Sequence, residues 1–435
     1  MNQPTYNTVD WSLFACLLSE AALIIATWPL WTRLNAFPVV PLLAGFSDVP
    51  IVVDCALVAV LLLCLAVLSV LTLRTRSVLW PSETAVQNST ASEGDSTKKK
   101  PTLFLAIALA VSLALAVLNQ HRLQPWHWLF MLVLLQTLCL REPRLTAIRR
   151  MTIASIYIFA AVSRFGPDVV SGMSRQVLSV AVEAFQVDHL LKNESFVFAA
   201  CATMSIVELL CGLMLLAPAT RRYGILFAVL LHAVLLVTLG PLGLNHNVGV
   251  LLWNTFFLFA VPILFGKEYR SALAESLPDE AARSRRRLWL FGGFLFLFPL
   301  SGLFGLADNW LSWQLYSPRP EVVRVFVHQD AIGRLPKPAQ QFILPPAPLD
   351  EWCPLRIDRW SLFATGAPLY PEDRFQLAMA KKLTAMVGGD AIRIRIEQPD
   401  IPWWWQRSET ELDAAEDAGN DTKKYWLNTN VVREP

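Results

Sequence analysis

Long apolar runs recur so closely through residues 1–306 that water cannot be the only solvent for this chain. A helix needs about 20 mostly apolar residues to cross roughly 30 Å of hydrocarbon. Candidate spans fall at 11–30, 51–73, 101–118, 126–140, 151–165, 196–218, 223–239, 248–265 and 288–306. Several are nearer 15 apolar residues than 20 and must borrow flanking residues, tilt, or lie behind neighbours. A buried helix of a large water-soluble protein explains any one of these runs but not their repetition. Charged residues make up only 17% of the 435, against about a quarter in an ordinary globular domain. The stretch 37–46, interrupted by Pro38 and Pro41, is too short to cross and is expected to be re-entrant or to lie on the surface. Asp10 and Glu20 flank the start of the first run and no basic region precedes it, so it reads as a retained helix.

The basic residues give an independent check. They cluster at Arg74, Arg76 and 98–100, at Arg141, Arg144, Arg149 and Arg150, at Arg221 and Arg222, and at Lys267, Arg270, Arg283 and 285–287. With nine spans, all four clusters share one membrane face, which the positive-inside rule makes cytoplasmic. The N-terminus then lies inside, and everything after residue 306 lies outside. The polar segment 81–100 is a cytoplasmic linker, and the inferred face argues against use of the acceptor pattern Asn88-Ser89-Thr90. A net charge of +2 points neither to nucleic acid nor to strongly acidic partners.

The expected fold is therefore a polytopic all-helical membrane domain, 1–306, followed by an extracytoplasmic mixed α+β domain, 307–435. In the second part, 321–328 and 391–398 alternate as half-buried strands do, and 375–387 has helical spacing. Residues 336–348 form a proline-rich connection, and 409–421 reads as a solvated helix or a mobile segment. Trp403, Trp404 and Trp405 suit either the bilayer surface, a partner or a folded core. Six of the seven cysteines lie in or beside apolar runs and Cys353 stands alone in the tail, so no disulfide framework or redox pair is expected.

Unusual polar residues collect at the external ends of the spans. They include His121 and His127 (in NQHRLQPWHW), Tyr157, Arg164 and Asp168 (in YIFAAVSRFGPD), and Asn245, His246 and Asn247 (in LNHNVG). Imidazoles shuttle protons near neutral pH, and amides or arginine orient an oxygen-rich ligand. Such a set suits the floor of an external site, with His121, His127 and His246 as candidate catalytic bases and Arg164, Tyr157, Asp168, Asn245 and Asn247 as candidate ligand contacts. The competing reading is anchoring of these groups in the headgroup zone. Within the spans, Glu208 is expensive unless paired or protonated, and a partner in His232 of the next span would make either a structural tie or a proton relay. No histidine spacing suggests a metal site.

The stretch IYIFAAVSRFGPDVVSGMSRQVLS, residues 156–179, resembles the hallmark segment of the vitamin K-dependent gamma-glutamyl carboxylases and their bacterial relatives, the HTTM-type membrane proteins. Tyr157, Ala160-Ala161, Arg164, Asp168 and Gly172 match that pattern over some 25 residues, and the multi-span architecture agrees over about 300. The resemblance implies a quinone or another lipid-soluble ligand at the external face. The family's quinol-deprotonating lysine aligns with Arg164, whose guanidinium keeps its proton. Arg164 is thus left to bind a quinone oxygen, phosphate or carboxylate, or to tie helices, and a histidine becomes the base. Beside this carboxylase-like function stand two others: a non-catalytic scaffold for membrane or periplasmic protein partners, and a proton-coupled transporter.

Overall fold

A computed structural model describes residues 10–32, 37–74, 93–142, 144–165, 170, 172–266, 278–399, 407–413 and 425–432. Asp168, Trp403, Trp404 and Trp405 lie outside the described residues, as does much of the linker 81–100.

The apolar runs form helices α1 Trp11–Ala26, α2 Trp28–Thr32, α3 Ile51–Arg74, α4 Glu93–Leu118, α5 Pro125–Cys139 and α6 Arg144–Ser163. These are followed by α7 Met173–Ala184, α8 Glu194–Leu216, α9 Arg221–Leu239, α10 Val248–Phe265 and α11 Pro278–Gly302. Among the described residues, six helices are long and apolar enough to cross a membrane, and two more, Trp11–Ala26 and Pro125–Cys139, are apolar but shorter. Local chemistry sets the starts. Asp10 accepts the Leu13 N–H at 3.0 Å, Asn193 that of Phe196 at 3.1 Å and Asn247 that of Gly249 at 2.8 Å, as N-caps do. Pro125 opens α5, where its missing N–H costs nothing. In the bundle α1 packs on α3, α5 and α10, α6 on α8 and α11, and α9 on α8 and α10. The short α7 buries Val177, Leu178 and Val182 against α8 and α9 and exposes Arg175, Gln176 and Glu183.

Among the described residues, Arg150, Arg221 and Arg287 lie at one end of this bundle. Arg150 Nε donates to the Leu264 carbonyl at the end of α10 (2.9 Å), and Arg221 lies beside it. Arg287 donates to the Cys139 carbonyl at the end of α5 (3.1 Å). The opposite end carries the residues after α11. Four strands, β1 Val322–His328, β2 Trp352–Leu355, β3 Ile392–Pro399 and β4 Arg407–Asp413, form an antiparallel sheet in the order β2-β1-β3-β4. Val325 faces both Leu355 and Ile394, and Ile394 faces Leu412, so one apolar row runs across all four strands.

Alternation puts Val323, Val325, Val327, Ile392, Ile394 and Ile396 on the buried face. That face packs on α14 Asp373–Val387. Phe375, Leu377, Ala378, Met379 and Ala380 are all fully buried, because α14 is sandwiched between the sheet and the bundle. The shorter α12 Lys337–Gln340 and α13 Ile357–Thr365 complete the domain.

One expectation changes here. Residues 409–413, read as the start of a solvated helix or mobile segment, are strand β4. Glu409 and Glu411 pair diagonally across the ladder with Arg395 and Arg393 at 3.3 and 3.8 Å while Leu412 turns inward, so cross-strand charge pairing outweighs helix propensity. Within the stretch 37–46, expected to be re-entrant or to lie on the surface, residues 39–42 form a strap. The Leu42 N–H donates to Val117 O (2.8 Å) and Val40 O accepts from the Gln120 N–H (2.8 Å). Leu42 O and Val39 O accept from the Asn428 and Val432 N–H groups at 3.1 and 2.9 Å.

Candidate functional site

The junction between the bundle end and the sheet domain carries most of the chain's unusual polar chemistry. Gln120 Nε2 donates to Pro41 O (3.0 Å) and Asn428 O (2.8 Å), and its Oε1 accepts from Arg374 Nε (2.9 Å). The Arg374 guanidinium makes a two-pronged pair with Asp308 at 2.8 and 2.5 Å, and Tyr370 donates to the same carboxylate. Glu372 accepts from the Asn309 backbone at 2.7 Å. Burial, reinforced by the neighbouring Asp308 charge, pushes its carboxyl up to about 8.

Several predicted site residues are built into this joint. His121 Nε2 donates to Pro368 O at 2.9 Å, with Ser361 Oγ at 3.3 Å and the rings of Phe37 and Phe375 beside it. Its burial lowers the imidazole to about 4, so it is neutral at physiological pH. His246 sits in the turn before α10. Its Nδ1 accepts from the Asn247 N–H at 3.0 Å, and burial, then the Arg359 charge, lower its pKa. Asn245 takes a left-handed backbone with φ 46°, and Asn247 caps α10.

The deeper residues form separate clusters. Tyr157 of α6 bonds to His232 Nε2 of α9 at 2.6 Å, and His232 Nδ1 bonds to Asn254 Oδ1 of α10 at 2.9 Å. Asn254 Nδ2 is committed to Val250 O at 2.9 Å, which leaves its Oδ1 as the acceptor. His232 then carries its proton on Nδ1 and receives the Tyr157 hydroxyl on Nε2. Arg164, just past α6, pairs with Glu208 of α8. Glu208 is thus tied to Arg164, and His232 to Tyr157, in place of the Glu208–His232 pair that adjacent spans suggested.

His127 lies inside the bundle, with Nδ1 at 2.6 Å from Glu20 of α1 and Nε2 at 3.4 Å from Ser112 O of α4. Arg122 and Asp54 form a fully buried ion pair at 2.8 Å, and the guanidinium also donates to Leu30 O, Trp31 O and Leu115 O. Glu20 and Asp54 were not among the sequence candidates. A lone carboxylate in an apolar run was the available signal, but its partner is 107 residues away for Glu20 and 68 for Asp54.

Neither of two cavities at the junction is lined by His121, Arg164 or His246. One, of about 220 Å3, is walled from the bundle by Pro125, Trp126, Val250 and Trp253 and from the sheet domain by Trp310, Leu315, Tyr316, Pro368 and Pro371. The Trp126 indole Nε1 is buried and has no hydrogen-bond partner among the described residues. Arg164 and the His232 cluster stand one layer behind this cavity. Ser317 beside Tyr316 donates to Ser163 O at 2.9 Å, Arg164 acts electrostatically on Tyr316, and Phe257 bridges Trp253 to His232 with ring centroids 4.8 and 5.1 Å away. Burial raises the Tyr316 phenol to about 12. Trp313 and Tyr316 both hold positive φ, 61° and 55°, an unfavourable conformation for bulky side chains. The second cavity, about 550 Å3 and polar, shares Gln314, Pro320 and Pro371 with the first and reaches Asp308, Glu372 and Arg374. Among the described residues no group of three or more His, Cys, Asp and Glu is arranged to hold a metal ion.

Comparison with protein-family models, with curated proteins and with solved structures returns no match.

Proposed function

We propose that this chain is a carboxylase-like integral membrane protein that seats the ring of a quinone, or of a similarly flat lipid-soluble carbonyl compound, in the aromatic cavity at the bundle–domain junction. The observation that carries the reading is the largely aromatic and apolar lining of this cavity, to which Trp126 contributes a side chain whose buried Nε1 has no partner among the described residues. A buried donor left without an acceptor costs about 1–3 kcal/mol, and a ring carbonyl would satisfy it. At about 220 Å3 the cavity is smaller than the roughly 300–1,000 Å3 of most small-molecule sites, so it takes a head ring and leaves a tail outside. The strained backbone at Trp313 and Tyr316 fits a wall held in place for a ligand. A bound quinone supplies a carrier for two electrons and two protons. The role of base does not pass to Arg164, which is paired with Glu208.

The same reading takes the helices as nine spans with the sheet domain outside a bacterial inner membrane. Support comes from Arg150, Arg221 and Arg287 at one bundle end and the sheet domain at the other.

The test is extraction of protein purified in mild detergent, with identification of the retained lipid by mass spectrometry. Trp126→Phe keeps the aromatic wall and removes the donor. It is expected to lower retained quinone about fivefold, in line with about 1 kcal/mol per hydrogen bond, and Trp253→Ala to lower it further. Equal retention by the wild type and both variants, or no quinone in any of them, overturns the proposal.

A further inference from the structure

A file of polar groups runs up the seam of α1, α5 and α6, separate from the junction cavities. Ser12, Cys16 and Glu20 recur every four residues on α1 and so share one face, each about 6 Å above the last. At the basic end Arg149 binds Asp10 and Ser12 at 2.7 and 2.6 Å and Thr137 at 2.8 Å. The Asp10 side chain is 32% exposed there, which opens the file to water.

Next comes a cavity of about 20 Å3 bordered by Ser12, Cys16, Arg149 and Thr152. One water needs about 10–15 Å3 of such space. Gln136 donates to Thr152 at 2.8 Å. Cys16 feels the charge of Glu20 on one side and of Arg149 and Asp10 on the other. The file ends at Glu20 and His127, 2.6 Å apart.

Among the described residues, three buried polar atoms beside this path have no hydrogen-bond partner: Arg149 Nε, Gln136 Oε1 and, on α4, Ser112 Oγ. Orphans of this kind in an apolar bundle are costly, and their gathering along one seam is what a chain of internal waters would satisfy. Beyond His127 the way is shut. The Trp31 ring lies 5.0 Å from His127, and behind it the Arg122–Asp54 pair is fully buried, its guanidinium committed to Asp54 and to the Leu30, Trp31 and Leu115 carbonyls. The neighbouring α10 and the span 101–118 of α4 add no ionisable group.

We propose that the α1–α5–α6 seam is a proton-conducting half-channel that connects water at the basic end of the bundle to the buried Glu20–His127 pair and stops there. The pair exchanges protons with that compartment alone. His127 reaches Glu20 through Nδ1 and the Ser112 carbonyl through Nε2.

The experiment uses full-length protein in liposomes sorted for a single orientation. Infrared difference spectroscopy follows the carboxyl stretch of Glu20, assigned by its loss in Glu20→Gln and its displacement in Glu20→Asp, should the first variant not fold. The stretch is expected to titrate with the pH in contact with the basic end and to ignore the other side. Combining Ser12→Ala with Thr152→Val is expected to slow that response at least tenfold. A Glu20 signal indifferent to pH on both sides, or one that follows the side of the sheet domain, overturns the half-channel. So does an unslowed response in the double variant.

Discussion

At the scale of single residues, the junction works through groups whose charge is unfavourable once water is removed. Folding lowers the His121 imidazole from 6.5 to about 4, so its contribution to stability is complete above pH 6.5 and is lost as pH falls towards 4. At about 1.4 kcal/mol per unit this is on the order of 3 kcal/mol. Thermal melts in detergent should therefore show a loss over that window, and His121→Gln, which keeps a donor for Pro368 O, should remove it. Glu372 has the opposite sign. Its pKa is raised from 4.5 to about 8, so its contribution is complete below 4.5 and is lost as pH rises towards 8. Asp54→Asn or Arg122→Met alone should cost about 3–5 kcal/mol by stranding a buried charge or its partner. Asp54→Leu combined with Arg122→Met should recover most of that loss, as judged by the midpoint of the same melts. Partnership is the part the sequence could not reveal. Tyr157, His232, Arg164 and Glu208 were recognisable as unusual, yet which pairs with which depends on helix rotation, and that is set by packing over the whole bundle.

At the scale of elements, close approach of α6 and α8 holds two of these clusters together. A Cβ on Gly212 would lie 2.9 Å from Ile158 Cγ1, 3.0 Å from Tyr157 Cβ and 3.1 Å from Ala154 O. Small residues of this kind let membrane helices touch backbone to side chain. Gly212→Ala should cost about 1–3 kcal/mol by overpacking, and Gly212→Leu should prevent accumulation of folded protein, read by size-exclusion chromatography. Hydropathy exposed most helices because an apolar run has few options in lipid. β1, β3 and α14 showed in their periods of two and 3.6. β4 did not, because the Ser408–Asp413 stretch is polar and its strand character comes from Arg393 and Arg395 across the ladder.

At the scale of the whole molecule, the arrangement makes a two-sided prediction. In intact cells, a membrane-impermeant thiol reagent should label Leu349→Cys, on an exposed tip of the sheet domain, in a background without other cysteines. It should label Arg286→Cys, at the basic end, only after the membrane is opened. The reverse pattern would invert the orientation and with it the external placement of the aromatic cavity. The strap at residues 39–42 has a consequence for biogenesis. Its carbonyls at Val39, Pro41 and Leu42 find donors in Asn428 and Val432, some 390 residues later in the chain. A ribosome delivers the first hairpin long before those donors exist, so the strap lacks these partners until the last stretch has been made and docked against it. Truncation near residue 425 should therefore be felt first at the beginning of the protein, as proteolytic nicking around residue 40.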